Sequence, residues 1–217
     1  MTDVIILSNA KSEELYTLTQ QTINTCFATR GQESLNIIVI EQNRSKQYLI
    51  AQTWYSDEKF NYNKFANIGA RLCSSENIVI ANNDLVFTEG WIDNLLAANH
   101  PFVCPKDPKD NRQASVTENE IGGQVGRNLG GWCFLIKRHL WESIGGFDED
   151  CSFWCSDNAV VEQCREFDIL PMIVPSSIVY HLGSQTLKTM PNRDELTVQQ
   201  VKKFNKKYRK NLFGWGE

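Results

Sequence analysis

The chain of 217 residues is 41% hydrophobic, with a formal net charge of -4 and a pI near 5.5. That apolar share supports one folded domain with a modest extension and excludes disorder over the whole length. The acidic balance excludes a protein that is basic overall and coats nucleic acid or anionic membrane, though it leaves room for a local basic patch.

No run approaches the roughly 18 apolar residues needed to span a bilayer, and the start "MTDVIILSNAKSEE" lacks the basic lead and long apolar stretch of a secretory signal. A cytoplasmic protein is the expectation. The cysteines at 26, 73, 104, 133, 151, 155 and 164 are odd in number and show no repeated pair spacing, so reduced, buried thiols are expected. Cys151, Cys155 and Cys164, with His139, are the only cluster that can be drawn as a zinc site, and their spacing matches none of the common short-pair patterns.

In chain order, "VIIL" (4–7) and "LNIIVI" (35–40) read as strands buried on both faces of a parallel sheet. Between them Ser12 can cap a helix with Glu13 and Glu14 in its first turn, and Leu15, Leu18, Ile23, Cys26 and Phe27 keep a helical stripe up to Gly31. "QYLIAQTWY" (47–55) reads as a third strand, residues 62–73 as a helix, "NIVIA" (77–81) as a fourth strand, Trp91 to Ala98 as a helix and "PFVCP" (101–105) as a fifth strand. Such alternation predicts an α/β, Rossmann-like, mostly parallel sheet flanked by helices, with ligands beyond the carboxyl ends of the strands. Asn9, Glu41 and residues 82–84 fall at or just after such ends.

Residues 106–131 are polar and glycine-bearing, the character of a functional or disordered loop. After them "WCFLIKR" reads as a strand, Leu140 to Ile144 as a short helix, "GGFDED" (145–150) as a turn, 157–167 as a helix, and "ILPMIV" and "SIVYH" as two strands. The tail 194–213 sets Val198, Val201, Phe204 and Tyr208 at near-helical spacing, opposed by Lys202, Lys203, Lys206, Lys207, Arg209 and Lys210. That basic face is either solvated or docks on a polyanion or a membrane headgroup layer, with Phe213 and Trp215 interleaved.

Several polar residues sit where chemistry is expected. Asp84, in "NND", either makes a turn with Asn83 that caps the next helix or holds a hard divalent cation that neutralises phosphate charge. Glu41 is either a solvated strand end or an acceptor for a nucleotide's base or ribose. Glycine inside a helix costs about 1 kcal/mol, so Gly69 calls for a reason such as close packing on the sheet, and Asn67 beside it can reach a nucleotide. Asp157 is either a helix-start residue favoured by the dipole or a base facing a cleft, and His181 is a strand-end structural residue or a ligand.

Taken in order, the segments "VIILSNAK", "NIIVIEQNRS", "FNYNKFANIGARLCSSENIVIANNDLVFTEGWIDNLL", "GGWCFLIKRHLWESIGGFDEDCSFWCSDNAVVEQC" and "VYHLGSQT" resemble the family 2 glycosyltransferases, whose nucleotide-diphospho-sugar transferase fold is called GT-A. The resemblance covers residues 3 to about 187. It implies a glycosyltransferase domain over 1–193, divided into a nucleotide-sugar-binding half (1–105), a flexible loop (106–131) that can close over the donor, and an acceptor half (132–193), followed by a basic C-terminal helix (194–217).

By the same resemblance Asp84 would coordinate Mn2+ or Mg2+ on the sugar diphosphate with His181 as a further ligand. Asn83 would lie on the donor, Glu41 would contact the nucleoside, and Asn9 and Asn67 would lie near the base or phosphates. Asp157 would deprotonate the acceptor hydroxyl in an inverting displacement, and Trp132, Asp148, Glu149 and Trp154 would shape the acceptor pocket. The acceptor stays open among a glycan, a lipid-linked sugar and hydroxymethylated phage DNA. Two departures stand out: Asn82 replaces the first acid of the family's aspartate-x-aspartate motif, and "CSDN" replaces the usual pair of acids before the helix. They keep a non-catalytic nucleotide-sugar-binding module as the alternative. A nucleotidyltransferase would need a glycine-rich phosphate loop after the first strand, and "LSNAKSEE" has no glycine.

Overall fold

In the computed structural model, which describes residues 1–152, 154–183 and 193–214, the apolar runs of the first third form β1 (Thr2–Ser8), β2 (Leu35–Glu41), β3 (Gln52–Tyr55) and β4 (Asn77–Asn82). They lie parallel in the order β3-β2-β1-β4, with Ser8 opposite Glu41 and Leu7 opposite Asn82. The carboxyl ends of β1, β2 and β4 are therefore level. Helix α1 (Glu13–Ala28) crosses from β1 to β2, and Ser12 caps it by accepting from the Leu15 N–H. Helix α2 (Tyr62–Leu72) is capped in the same way by Asn61, which accepts from the Lys64 N–H.

The expected third strand is shorter than its apolar pattern. Residues 47–51 turn instead, because Tyr48 is pulled inward to donate from its hydroxyl to Glu41 Oε2 at 2.7 Å. Ile50 takes φ 68° in that turn, a conformation a β-branched residue rarely adopts.

Beyond β4 the chain adds β5 (Leu85–Phe87), α3 (Trp91–Ala97), β6 (Phe102–Lys106), β7 (Glu120–Ile121), β8 (Cys133–Lys137), α4 (Arg138–Ser143), α5 (Ser156–Arg165), β9 (Met172–His181) and α6 (Arg193–Tyr208). The sheet continues as β4-β8-β6-β9-β5, with β7 on β9, and β8 runs antiparallel to both neighbours. The sheet is thus parallel over its first four strands and mixed beyond. The two strands expected at 169–181 are one, β9. Its register against β6 jumps from Val174 to Ile178 between Pro105 and Lys106, since Pro175 has no N–H to extend the ladder.

Alternate side chains of the strands point to opposite faces. Ile5, Leu7, Ile38, Ile40, Ile78 and Ile80 pack against α2, α4 and α5, while Val4, Ile6, Ile37, Val39 and Val79 pack against α1 and α3. Burial on both faces explains the unbroken apolar runs. The polar stretch 106–131 packs onto the sheet rather than standing clear of it: Val116 and Leu129 are buried, and the Gln113 side chain accepts from the Asp107 N–H.

The C-terminal helix is docked. Val201 and Phe204 of α6 are buried against Cys151, Cys155 and Ala159, although Val198 is exposed. Lys207 pairs with Asp148 and Asp150, Lys203 with Asp150, and Lys210 with Glu162. Half of the basic side chains that suggested a polyanion are thereby neutralised within the chain. Trp215 and residues 184–186 of "VYHLGSQT" lie outside the described residues. All seven cysteines are buried and free, and among the described residues no cluster of three or more His, Cys, Asp or Glu side chains is arranged to hold a metal, so the zinc set does not form. Among those residues no helix is long and apolar enough to cross a membrane.

Gly69 has the expected reason. A Cβ built on it would lie 2.4 Å from Ile5 Cγ2, so its absence sets how closely α2 approaches β1. Alanine in a helix interior normally gains about 1 kcal/mol over glycine, whereas overpacking costs about 1–3 kcal/mol. Gly69→Ala is therefore expected to lower stability on balance, measured as a reduced urea midpoint, where an open helix site would show an increase.

Candidate active site

The site begins where β4 stops. Asn83 and Asp84 link Asn82 to β5, and α1 staples this link: Thr22 Oγ1 donates to the Asn83 carbonyl at 2.9 Å and accepts from the Leu85 N–H at 3.0 Å. Asn83 Nδ2 donates to Thr19 Oγ1, so its amide supports the turn. Strand β5 pairs antiparallel with β9, Leu85 opposite His181, and the Leu182 N–H donates to the Asp84 carbonyl. This register brings Asp84 and His181, distant in sequence, face to face.

His181 Nε2 lies 3.2 Å from Asp84 Oδ1, yet the contact lacks hydrogen-bond geometry, and among the described residues Nε2 has no hydrogen-bond partner. Two converging donors, one carboxylate oxygen and one imidazole nitrogen, suit joint ligation of a divalent cation better than a direct hydrogen bond. The Trp132 indole stacks on the imidazole, centroids 5.6 Å apart and planes 18° apart, which fixes the ring's orientation. Asn82 lines the same cavity and offers a neutral amide where a second acid would add charge.

The cavity holds about 300 Å³. Phe60, Tyr62, Trp132 and Trp154 form aromatic walls, and Asp84, His181 and Asp157 reach it together. Asp157 is placed by the start of α5: Cys155, just before the helix, takes φ 61°, an uncommon conformation for a residue with a Cβ. Asp157 Oδ1 accepts from the Asn158 N–H. Burial pushes its carboxyl above the ordinary carboxylate range, while its backbone hydrogen bonds and the charge of Arg112 act in the opposite direction.

Of the residues singled out from the sequence, the structure brings Asn83, Asp84, Asp157, His181, Trp132 and Trp154 to one cavity. Five others do not line it. Glu41 is fully buried and accepts from the N–H groups of Ala10, Gln42 and Asn43 and from the Tyr48 hydroxyl, so it ties together the loops after β1 and β2 and presents no face to a nucleoside. Asn67 donates to the Phe147 carbonyl and Glu149 Oε1 and accepts from Trp141 Nε1 and the Phe147 N–H, which makes it the anchor of the "GGFDED" turn instead of a phosphate ligand. Asp148 holds α6 through Lys207 and the Tyr208 hydroxyl, and Glu149 is exposed and leans on Asn67. Neither lines the cavity, and neither does half-buried Asn9.

Arg112 and Tyr62 are among the lining residues that were missed. Arg112 extends from the 106–131 segment, paired bidentately with Asp110 at 2.7 and 3.0 Å, and a Cβ on Gly126 would strike its guanidinium. Its only sequence signal was a cation in a polar stretch that leads into glycines at 122, 123 and 126. Tyr62 opens α2 and gave no signal, because an aromatic in a helix's first turn reads as core.

No protein-family model matches the sequence, and no curated protein matches it. Solved structures do match in fold. A mannosyltransferase, PcManGT from Pyrobaculum calidifontis in complex with GDP-Man and Mn2+, is similar at a TM-score of 0.70 and 14% identity, over 96% of this chain and 64% of that one. GalNAc-T7 with UDP, GalNAc and Mn2+ is similar at 0.62 and 12%, over 83% of this chain and 43% of that one. The catalytic domain of Drosophila beta1,4galactosyltransferase 7 in complex with xylobiose is similar at 0.56 and 15%, over 91% and 79%. The chain has the GT-A fold, and it spans less than two thirds of the first two of these relatives.

The placement of Glu41 has a measurable consequence. Glu41→Gln can keep an oxygen on the three backbone donors, which all reach Oε1, but sets an amide N–H against the Tyr48 hydroxyl that donated to Oε2, and a buried mismatch of this kind costs about 1–3 kcal/mol. Chemical denaturation is expected to show a loss of that size; a residue that merely faced a ligand would leave apo stability unchanged.

Proposed function

We propose that the protein is a glycosyltransferase that moves a sugar from a nucleotide-diphospho-sugar to an acceptor hydroxyl with inversion. The observation that carries this reading is the convergence of Asp84, His181 and Asp157 in one aromatic-walled cavity at the rim of a GT-A sheet, with Asp84 Oδ1 and His181 Nε2 only 3.2 Å apart. The similar structures that contain Mn2+ with UDP or GDP-Man support the same assignment for this cavity.

Asp84 and His181 would hold Mn2+ or Mg2+, and that ion supplies positive charge to the diphosphate as it leaves. Arg112, lining the same cavity and paired with Asp110 through Nε and one Nη, has its other Nη to donate to the phosphates. Asp157 takes the proton from the acceptor hydroxyl as the acceptor oxygen bonds to the anomeric carbon. The bond from that carbon to the diphosphate oxygen breaks, and its electron pair leaves with the diphosphate. The aromatic walls offer stacking faces and keep bulk water from competing as acceptor. A saccharide, free or lipid-linked, suits such walls. The tail's internal ion pairs weaken the case for DNA, since Lys203, Lys207 and Lys210 already have acidic partners.

A thermal-shift panel of UDP- and GDP-sugars with and without Mn2+ tests the donor and the metal. Binding to the folded form raises Tm. Mn2+ alone is expected to raise the Tm of the wild type, and Asp84→Ala and His181→Ala should abolish that rise; equal shifts in all three would remove the metal assignment.

For the base, Asp157→Asn is expected to lower kcat by about 10²–10⁴-fold. The wild-type rate should fall as pH drops through a midpoint above the ordinary carboxylate range, because burial raises the pKa of Asp157. Stability has the opposite sign. A carboxyl whose pKa is higher folded than unfolded binds protons more tightly when folded, so stability falls as pH rises from the unfolded towards the folded value and stays lower above it. Asp157→Asn should thus keep or raise Tm at pH 7 while losing turnover, and a variant with normal turnover would eliminate Asp157 as the base.

A further inference from the structure

We infer that Gly131 and Tyr62 form the seat that positions the Asp157 carboxylate, and that both are positioning residues for proton removal; the catalytic meaning of the seat rests on the assignment of Asp157 as base. A Cβ built on Gly131 would lie 2.5 Å from Asp157 Oδ2, 2.7 Å from its Cβ and 2.9 Å from its Cγ. Non-bonded atoms do not approach so closely, so the carboxylate occupies the space that any side chain at 131 would take. Gly131 is not among the residues with positive φ. What the site uses is its missing side chain and not its backbone freedom.

The shelf that carries Gly131 is fixed along its length. Three consecutive carbonyls each receive a donor: Gly130 from the Cys133 N–H at 3.1 Å, Gly131 from the Tyr62 hydroxyl at 2.7 Å, and Trp132 from the Asn82 N–H at 2.8 Å. Only the middle bond comes from a side chain. Tyr62 is itself held at the start of α2 by its own N–H, which donates to the Ser152 carbonyl at 2.7 Å. One hydroxyl therefore links the helix beneath the sheet to the glycine against which the carboxylate rests.

Neighbouring Gly130 has a different duty, since a Cβ there would strike the Trp132 indole at 2.6 Å. The "GG" pair thus clears room for two side chains of the cavity, one residue each. The titratable groups around Asp157 are Arg112 from the 106–131 segment, Tyr62 from α2 and Cys155 just before it. Burial and Asp157 together push the Tyr62 phenol well above its usual range, so the hydroxyl keeps its proton and remains a donor.

The test reads the carboxyl group directly. With aspartate 13C-labelled at the carboxyl, the Asp157 resonance is assigned by its disappearance in Asp157→Asn and followed against pH in the wild type, Gly131→Ala and Tyr62→Phe. Gly131→Ala should move the midpoint towards the ordinary carboxylate range as the group leaves its buried seat, and Tyr62→Phe should move it the same way by less. With Mn2+ and UDP- or GDP-sugar probes, kcat should fall about 100-fold in Gly131→Ala, the loss expected for a misplacement of about 1 Å, with the donor KM unchanged. Unchanged titration in Tyr62→Phe, which removes a single hydroxyl, would overturn the seat even if the alanine variant failed to fold. Altered titration combined with full turnover in Asp157→Asn would instead overturn the base assignment and leave the seat standing.

Discussion

The site depends on one strand pairing. β5 is three residues long and lies at the end of the sheet, yet its antiparallel register with β9, Leu85 opposite His181, is what sets a carboxylate and an imidazole against each other. A slip of one residue would turn His181 to the other face of the strand and separate the pair. That register is held from both sides. Thr22 on α1 grips the Asn83–Leu85 turn, and Thr25 Oγ1 accepts from the Phe87 N–H. The Thr88 hydroxyl donates to the Ile178 carbonyl across the pair. The threonines of an otherwise unremarkable helix thus explain how so short a strand keeps its place.

The acidic side chains near the rim divide by how well they are satisfied. Glu41 has four donors and Asp148 has a lysine, a phenol and a backbone N–H; both are structural anchors that hold loops in fixed positions. Asp157 has backbone N–H donors and the charge of Arg112, and burial disfavours its charge more than they favour it. A poorly compensated carboxylate in a cavity is costly to keep and reactive towards protons, whereas a saturated one is neither. This difference in partners, more than position along the chain, separates the carboxylate proposed as the base from the acids of the scaffold.

Much of this was legible in the sequence. The βα alternation, the cap at Ser12, the strand that halts at Asn82 and the packing role of Gly69 all follow from local pattern, because apolar periodicity and capping are local properties. Glu41, Asn67, Asp148 and Glu149 were placed in the site because an acid or amide at a strand end or turn looks the same whether its partners are a ligand or the protein. Their partners are remote: Asn67 meets Phe147, and Asp148 meets Tyr208. The union of two apolar runs into β9 also escaped the pattern, since Pro175 signals an end unless a bulge absorbs it. Arg112 was hidden because its role arises only when the polar segment folds back over the rim.

The C-terminal helix completes the account of how Asp157 is aimed. Phe204 and Val201 pack on Cys151 and Cys155, the residues that lead into α5, so α6 presses on the strained φ 61° turn that delivers Asp157. Lys207 and Tyr208 close on Asp148 from the same side, and the Asp148 N–H in turn donates to Gln163 on α5. A left-handed residue with a Cβ persists only where its surroundings leave no cheaper conformation. The tail supplies that surrounding packing. Its position between Asp148 and Cys155 makes it part of the frame that holds the carboxylate in the cavity: the apolar stripe turns inward, and three lysines of the exposed basic face reach back to Asp148, Asp150 and Glu162.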